Sequence, residues 1–274
     1  MRRLARSVDG RPLLGDESGF VPLEAADPGL SEMRAGLGAA AAGTLPDPSE
    51  APVEPVPAEH IQFGPPIGRP GKLWGIGLNY AEHAADLDEE RPDEPASFMK
   101  PATAVTGPGG PIELPPPEIT DGVTAEAELA VVFGRTCSNV SEQAVGDVIA
   151  GYLPVIDMTA EDILRRNPRF LTRSKSFDTF LVLGRSIVVD SPSRPLEDIE
   201  VRTVLNDEVV ASNRIENMLF PPAELVAFHS RSMTFEPGDL ISTGTPGAGH
   251  IGPGDHVRAA VDEIGTVEAP VVRR

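Results

Sequence analysis

Apolar positions along this chain come in short runs broken by glycine and proline, a rhythm of many brief strands and few helices. Residues 73–77 read as a buried strand closed by Gly75 and Gly77, and 79–87 as a helix. Residues 126–134 alternate and then turn wholly apolar, which predicts a strand with Glu126 and Glu128 on one face. Ser141 is placed to cap a helix carrying Val145, Val148 and Ile149 that Gly151 stops. Residues 152–156 form a short buried strand delivering Asp157 at its end. Asn206-Asp207 is a two-residue hairpin turn, and residues 222–230 form a helix with proline in its first turn.

Upstream, residues 3–14 read as a hairpin, and Leu30, Met33 and Leu37 share a helical face. Prolines recur from 46 to 57, as in an extended linker. The expected organisation is a small N-terminal domain at 1–45, a proline-rich linker at 46–70 and a main domain at 71–274. The fold class is α+β and β-dominated, with peripheral helices.

Charge narrows the function. A net charge of −19 argues against nucleic acid, whose phosphates favour the opposite sign. No window is apolar enough to span a membrane, and no signal-peptide core follows Met1-Arg2-Arg3. Cys137, the single cysteine, leaves no thiolate cluster or internal disulfide, so a cytoplasmic setting is expected. Of the 23 basic residues only Lys72, Lys100 and Lys175 are lysines. Acid excess with so little lysine is a halophilic pattern, and the scarcity gives Lys100 and Lys175 added weight.

The candidate chemistry gathers at 124–178. An isolated Glu-x-Glu pair usually decorates a wet strand face, but here the flanks are apolar, and adjacent buried carboxylates repel unless a cation neutralises them. With Asp157 they offer three oxygen donors, a set suited to Mg²⁺, Mn²⁺ or Ca²⁺ rather than zinc. His83 and Asp86 stand three apart, so a helix would pair them as a base and its orienting acid. The glycine-rich turn at Thr243-Gly244-Thr245 offers hydroxyls and N–H groups to an anion.

Gly77-Leu78-Asn79-Tyr80-Ala81-Glu82-His83, Phe98-Met99-Lys100-Pro101, Glu126-x-Glu128, Gly151-Tyr152, Lys175-Ser176-Phe177-Asp178 and Thr243-Gly244-Thr245-Pro246 occur in this order. Together they resemble the fumarylacetoacetate hydrolase family over about residues 71–274. The resemblance implies a mixed β-roll catalytic domain, usually dimeric, with Mg²⁺ or Mn²⁺ on Glu126, Glu128 and Asp157. It implies catalytic roles for Lys175 and for His83 with Asp86, and substrate contacts from Lys100, Gly244, Thr245 and Asp178. Where many members carry Asn, Arg and Gln around the metal aspartate, this chain has Ile156, Glu161 and Leu164. Ile76 takes the place of a fourth aspartate in the long hydrolases, so fumarylacetoacetate itself is not the expected substrate.

The implied activity is hydrolytic carbon–carbon cleavage of a 2-oxo acid such as an acylpyruvate or an oxo-dienoate. Isomerisation, decarboxylation or dehydration on the same site is the alternative, and a non-catalytic binding protein a third class. The acidic surface makes one prediction at once: melting temperature and activity rise from low salt to molar potassium chloride. No change in either would contradict salt adaptation.

Overall fold

The computed structural model describes residues 1–80 and 93–274, organised around two sheets of 13 and five strands. At the centre of the larger sheet, Val123–Phe133 and Ile149–Ala160 pair antiparallel along nearly their whole length. To one side of them follow Leu240–Ser242, Leu73–Gly77 and Ala96–Lys100. To the other side lie Ser186–Val188 and then Arg3–Arg6, Pro12–Gly15, Gly19–Pro22 and Val56–Pro57. The expected hairpin near the N-terminus is present, and Arg3↔Val188 joins it to the large sheet. The division at 45 and 70 stands as a proposal about folding units, since the sheet itself runs across both positions.

The smaller sheet is Glu208–Arg214, Glu200–Leu205, His256–Val261, Gly265–Arg273 and Ile112–Leu114. Its hairpin turns at Asn206 and Asp207, whose φ angles of 51° and 67° are those of the tight turn that matches strand twist. The predicted 222–230 helix is Pro222–Ser230. No described helix is long and apolar enough to cross a membrane.

Strand alternation divides the central pair into two faces. Ala125, Ala127, Leu129, Ile156 and Met158 point toward the small sheet and pack with Val201, Val257, Ala259 and Val267 in the inter-sheet core. On the opposite face, Ala130, Val132, Leu153 and Val155 pack with Leu4, Leu14 and Leu37 from the N-terminal segment. Further along that second face stand Glu126, Glu128, Asp157 and Thr159, every one of them buried. One end of the face is therefore ordinary apolar core and the other is charged.

Two predicted elements come out differently. Asp157 does not end a short strand: pairing continues through Met158↔Ala125 to Ala160↔Val123, so the aspartate sits inside a twelve-residue strand. The helix predicted from Ser141 is a 3₁₀ segment, Glu142–Asp147, without a side-chain cap from Ser141. Ile149 is already taken by the sheet through Phe133, so the segment ends before the apolar stripe is complete. Of the predicted 79–87 helix, residues 81–87, with His83 and Asp86 among them, lie outside the described residues.

Candidate active site

The carboxylates converge because the two long strands are in register. Asp157 lies directly opposite Glu126, and Glu128 opposite Val155, one diagonal step away on the same face. Facing carboxylates this close are tolerated in a protein interior only with compensating charge. Two ammonium groups supply it. Nζ of Lys175, at the end of the Leu171–Lys175 helix, donates to Glu126 Oε2 at 2.8 Å and Asp157 Oδ1 at 2.9 Å. It also lies 4.6 Å from the Phe98 ring centre, a favourable face for a cation.

Lys100 arrives from the end of the Ala96–Lys100 strand. Its Nζ donates to the carbonyls of Met158 at 3.0 Å and of Lys175 and Phe180 at 2.8 Å, and stands 3.0 Å from Asp157 Oδ1. Three backbone segments are thus tied to one buried amine. A direct role in holding substrate, expected from the family resemblance, stays a proposal.

Glu128 is held from the other side. The Ser242 hydroxyl donates to its Oε2, and so does the Gly244 N–H at 3.0 Å. The topology explains the reach: Leu240–Ser242 pairs with residues 130–132 and Ala248–His250 with 124–126, so the 243–247 turn straddles Glu128. Gly244 has φ +96°, and a Cβ there would meet Asn79 Cβ at 2.7 Å, so both conformation and space require glycine. Thr245 is buried in the same turn, with its hydroxyl donating to Gly247 O at 2.9 Å.

Burial and charge shift the ionisations. Burial, followed by the charge of Asp157, pushes the Glu128 carboxyl up to about 8. Burial pulls the Lys100 ammonium down to about 8, against the attraction of Asp157. For Lys175 burial again acts downward, but Asp157, Glu126 and Glu128 together overcome it and hold the ammonium above its ordinary range.

Thr159 and Ser242, which the sequence did not single out, belong to this arrangement, together with Asn79 of the Gly77–His83 motif. The Thr159 hydroxyl donates to Glu126 Oε1 at 3.0 Å, a contact that period-two spacing from Asp157 points to. Ser242 holds Glu128. Asn79 donates to Phe220 O at 3.0 Å and Thr243 O at 2.7 Å and accepts from Phe220 N at 2.9 Å, anchoring the turn beneath Gly244. Asp178 is exposed and pairs with Arg274 at 3.1 Å.

The departures from the family pattern also find their places. Ile156 is fully buried in the inter-sheet core, on the face opposite Asp157. Glu161 opens the Glu161–Arg166 helix and accepts from Arg165 at 3.1 Å. Leu164 is half-buried on that helix.

The donor set fits a hard divalent cation. Glu126, Glu128 and Asp157 offer only oxygen, and the buried Asp157 Oδ2 has no hydrogen-bond partner. In the observed arrangement Lys175 bridges Glu126 and Asp157, and no three acidic, histidine or cysteine side chains among the described residues converge as ligands.

The model of the fumarylacetoacetate (FAA) hydrolase C-terminal domain matches residues 72–272, which includes every side chain of this cluster. The chain belongs to the fumarylacetoacetate hydrolase family. A 5-carboxymethyl-2-hydroxymuconate delta-isomerase from Mycobacterium smegmatis is 35% identical, with a TM-score of 0.79 over 99% of this chain and 100% of that one. A mitochondrial oxaloacetate tautomerase of Xenopus laevis is 32% identical over 94% of this chain and 84% of its own length. A maleylpyruvate hydrolase from Sphingobium, solved with manganese(II) and pyruvate, is 27% identical with a TM-score of 0.79 over 99% of both chains. The β-roll expected from the resemblance is thereby the observed fold, and the chain is an enzyme of the hydrolase or isomerase/lyase kind.

The buried amine provides a stability test. Lys100→Met removes one buried donor from three carbonyls and one carboxylate, and should cost about 3–5 kcal/mol in chemical denaturation. Arg165→Ala, which removes an exposed helical pair, should cost about 0.5 kcal/mol or less. Equal losses in the two variants would contradict the buried network.

Proposed function

We propose that this enzyme moves a proton at the carbon next to the carbonyl of a 2-oxo acid, interconverting keto and enol forms or shifting a conjugated double bond. The observation that carries the reading is the Lys175 ammonium fixed between Glu126 and Asp157 in a buried site. Such a preorganised charge stabilises the enolate that deprotonation creates, and it needs no reorganisation as the charge develops. The isomerase and tautomerase relatives, at 35% and 32% identity, support this reading beside the hydrolysis expected first from sequence.

Each residue then has a task. Lys175 offsets the negative charge growing on the substrate oxygen. Lys100 holds Asp157 and the end of the Lys175 helix in place. The Gly244–Thr245 turn receives the substrate carboxylate, and His83, oriented by Asp86, takes and returns the proton. A divalent cation held by Glu126, Glu128 and Asp157, magnesium or manganese, would supply Lewis-acid polarisation of the substrate oxygens. A small 2-oxo acid as substrate and a cytoplasmic homodimer complete the proposal.

Hydrolytic cleavage is the second reading, supported by the fold shared with maleylpyruvate hydrolase. It uses the same enolate, with His83 activating water toward a distal carbonyl. Product analysis separates the two. With oxaloacetate and an acylpyruvate in turn, the proposal predicts faster keto–enol interconversion of oxaloacetate and no cleavage of the acylpyruvate. Lys175→Met should slow that interconversion by roughly 10²- to 10³-fold. Two acid products from the acylpyruvate, with oxaloacetate untouched, would reject isomerisation in favour of hydrolysis.

A further inference from the structure

A second feature lies at the opposite end of two strands that lead to the active site. Leu73–Gly77 and Leu240–Ser242 run parallel, with Leu73 beside Leu240. Their C-terminal ends pass into Asn79 and the 243–247 turn. Just before their N-terminal ends, Gly71 and Gly238 line a cavity of about 580 Å³. That volume lies within the roughly 300–1,000 Å³ of small-molecule sites.

The lining is chemically distinctive for this chain. Acidic residues outnumber basic ones 42 to 23 overall, yet among the described residues no acidic one lines the cavity, and Arg6, Arg34 and Arg69 do. Met33, Leu37 and Ile67 contribute apolar wall between them. Two of the guanidinium groups are oriented by backbone. Arg6 Nε donates to Gly10 O at 3.3 Å, and Arg34 Nε donates to Pro237 O at 3.2 Å.

Arg6 is also fitted against glycine: a Cβ at Gly68 would meet its Nη1 at 2.6 Å, and one at Gly10 its Nη2 at 3.1 Å. Neither Arg6 nor Arg69 forms an ion pair among the described residues, and the one ion pair of Arg34, with Glu236, is long at 3.9 Å. Some arginines elsewhere are held by close carboxylates, as Arg2 is by Asp190 at 2.7 Å and Arg202 by Asp262 at 2.6 Å.

We infer that this cavity is a binding site for a small organic dianion, two carboxylates or one phosphate on a short apolar body. Planar guanidinium forks match carboxylate and phosphate oxygens two at a time, which an ammonium cannot do. The negative charge of the whole protein disfavours weak, unspecific anion association, so local arginines have to carry recognition. The site is separate from the enolate chemistry and stands whether or not that assignment holds.

Calorimetric titration of the full chain with glutarate, inorganic phosphate and the neutral glutaramide tests it. One equivalent of glutarate or phosphate binds and glutaramide does not; tighter glutarate identifies a dicarboxylate site, and tighter phosphate a phosphate-ester site. Arg69→Ala and Arg34→Ala, both at exposed positions, each weaken binding by roughly tenfold or more. Glu128→Gln, which alters the catalytic cluster, leaves the isotherm in place. An isotherm unchanged in both arginine variants, one lost in Glu128→Gln, or no heat from either anion would overturn the inference.

Discussion

Two antiparallel strands set Asp157 directly across from Glu126, and Lys175 holds both carboxylates with one ammonium group. Much of the remaining structure depends on this contact. Removing a carboxylate from water costs several kcal/mol, and a neighbouring carboxylate raises that cost. The strands can carry these groups inside the protein because a cation is delivered to the midpoint between them. Lys100 repeats the device from the other side, joining Asp157 to three backbone carbonyls.

The surrounding architecture maintains that geometry. The small sheet covers one face of the strand pair with apolar side chains, and the N-terminal segment fills the far end of the other face. What remains is a short stretch where polar side chains face inward without competing packing. The 243–247 turn closes over it because its flanking strands pair on either side of Glu128. Asn79 then fixes that turn through Thr243. Rigid strands, rather than long loops, carry the acidic donors, which suits a site that must present charge without rearranging.

Much of this was legible from sequence where one rule acted alone. Alternation placed Glu126 and Glu128 on one face, and Asn206-Asp207 marked its hairpin. The reading faltered where pairing partners decide. The Asp157 strand looked short from its own residues, yet its continuation is set by residues 123–126 across the ladder. Ser141 and the apolar positions after it satisfied a helix pattern, but the sheet claimed Ile149. Thr159 and Ser242 carry no motif, and their importance comes from the carboxylates they touch. Ile156, which stands where many family members carry Asn, faces the inter-sheet core.

The central claim is that the buried carboxylate–ammonium cluster stabilises an enolate, whichever product follows. Deuterium uptake from D₂O into the C3 position of pyruvate, followed by nuclear magnetic resonance, isolates that step from any later chemistry. The account predicts rapid exchange with the native protein and background exchange with a folded Asp157→Asn variant. Equal exchange by both proteins, or none by the native one, would contradict it.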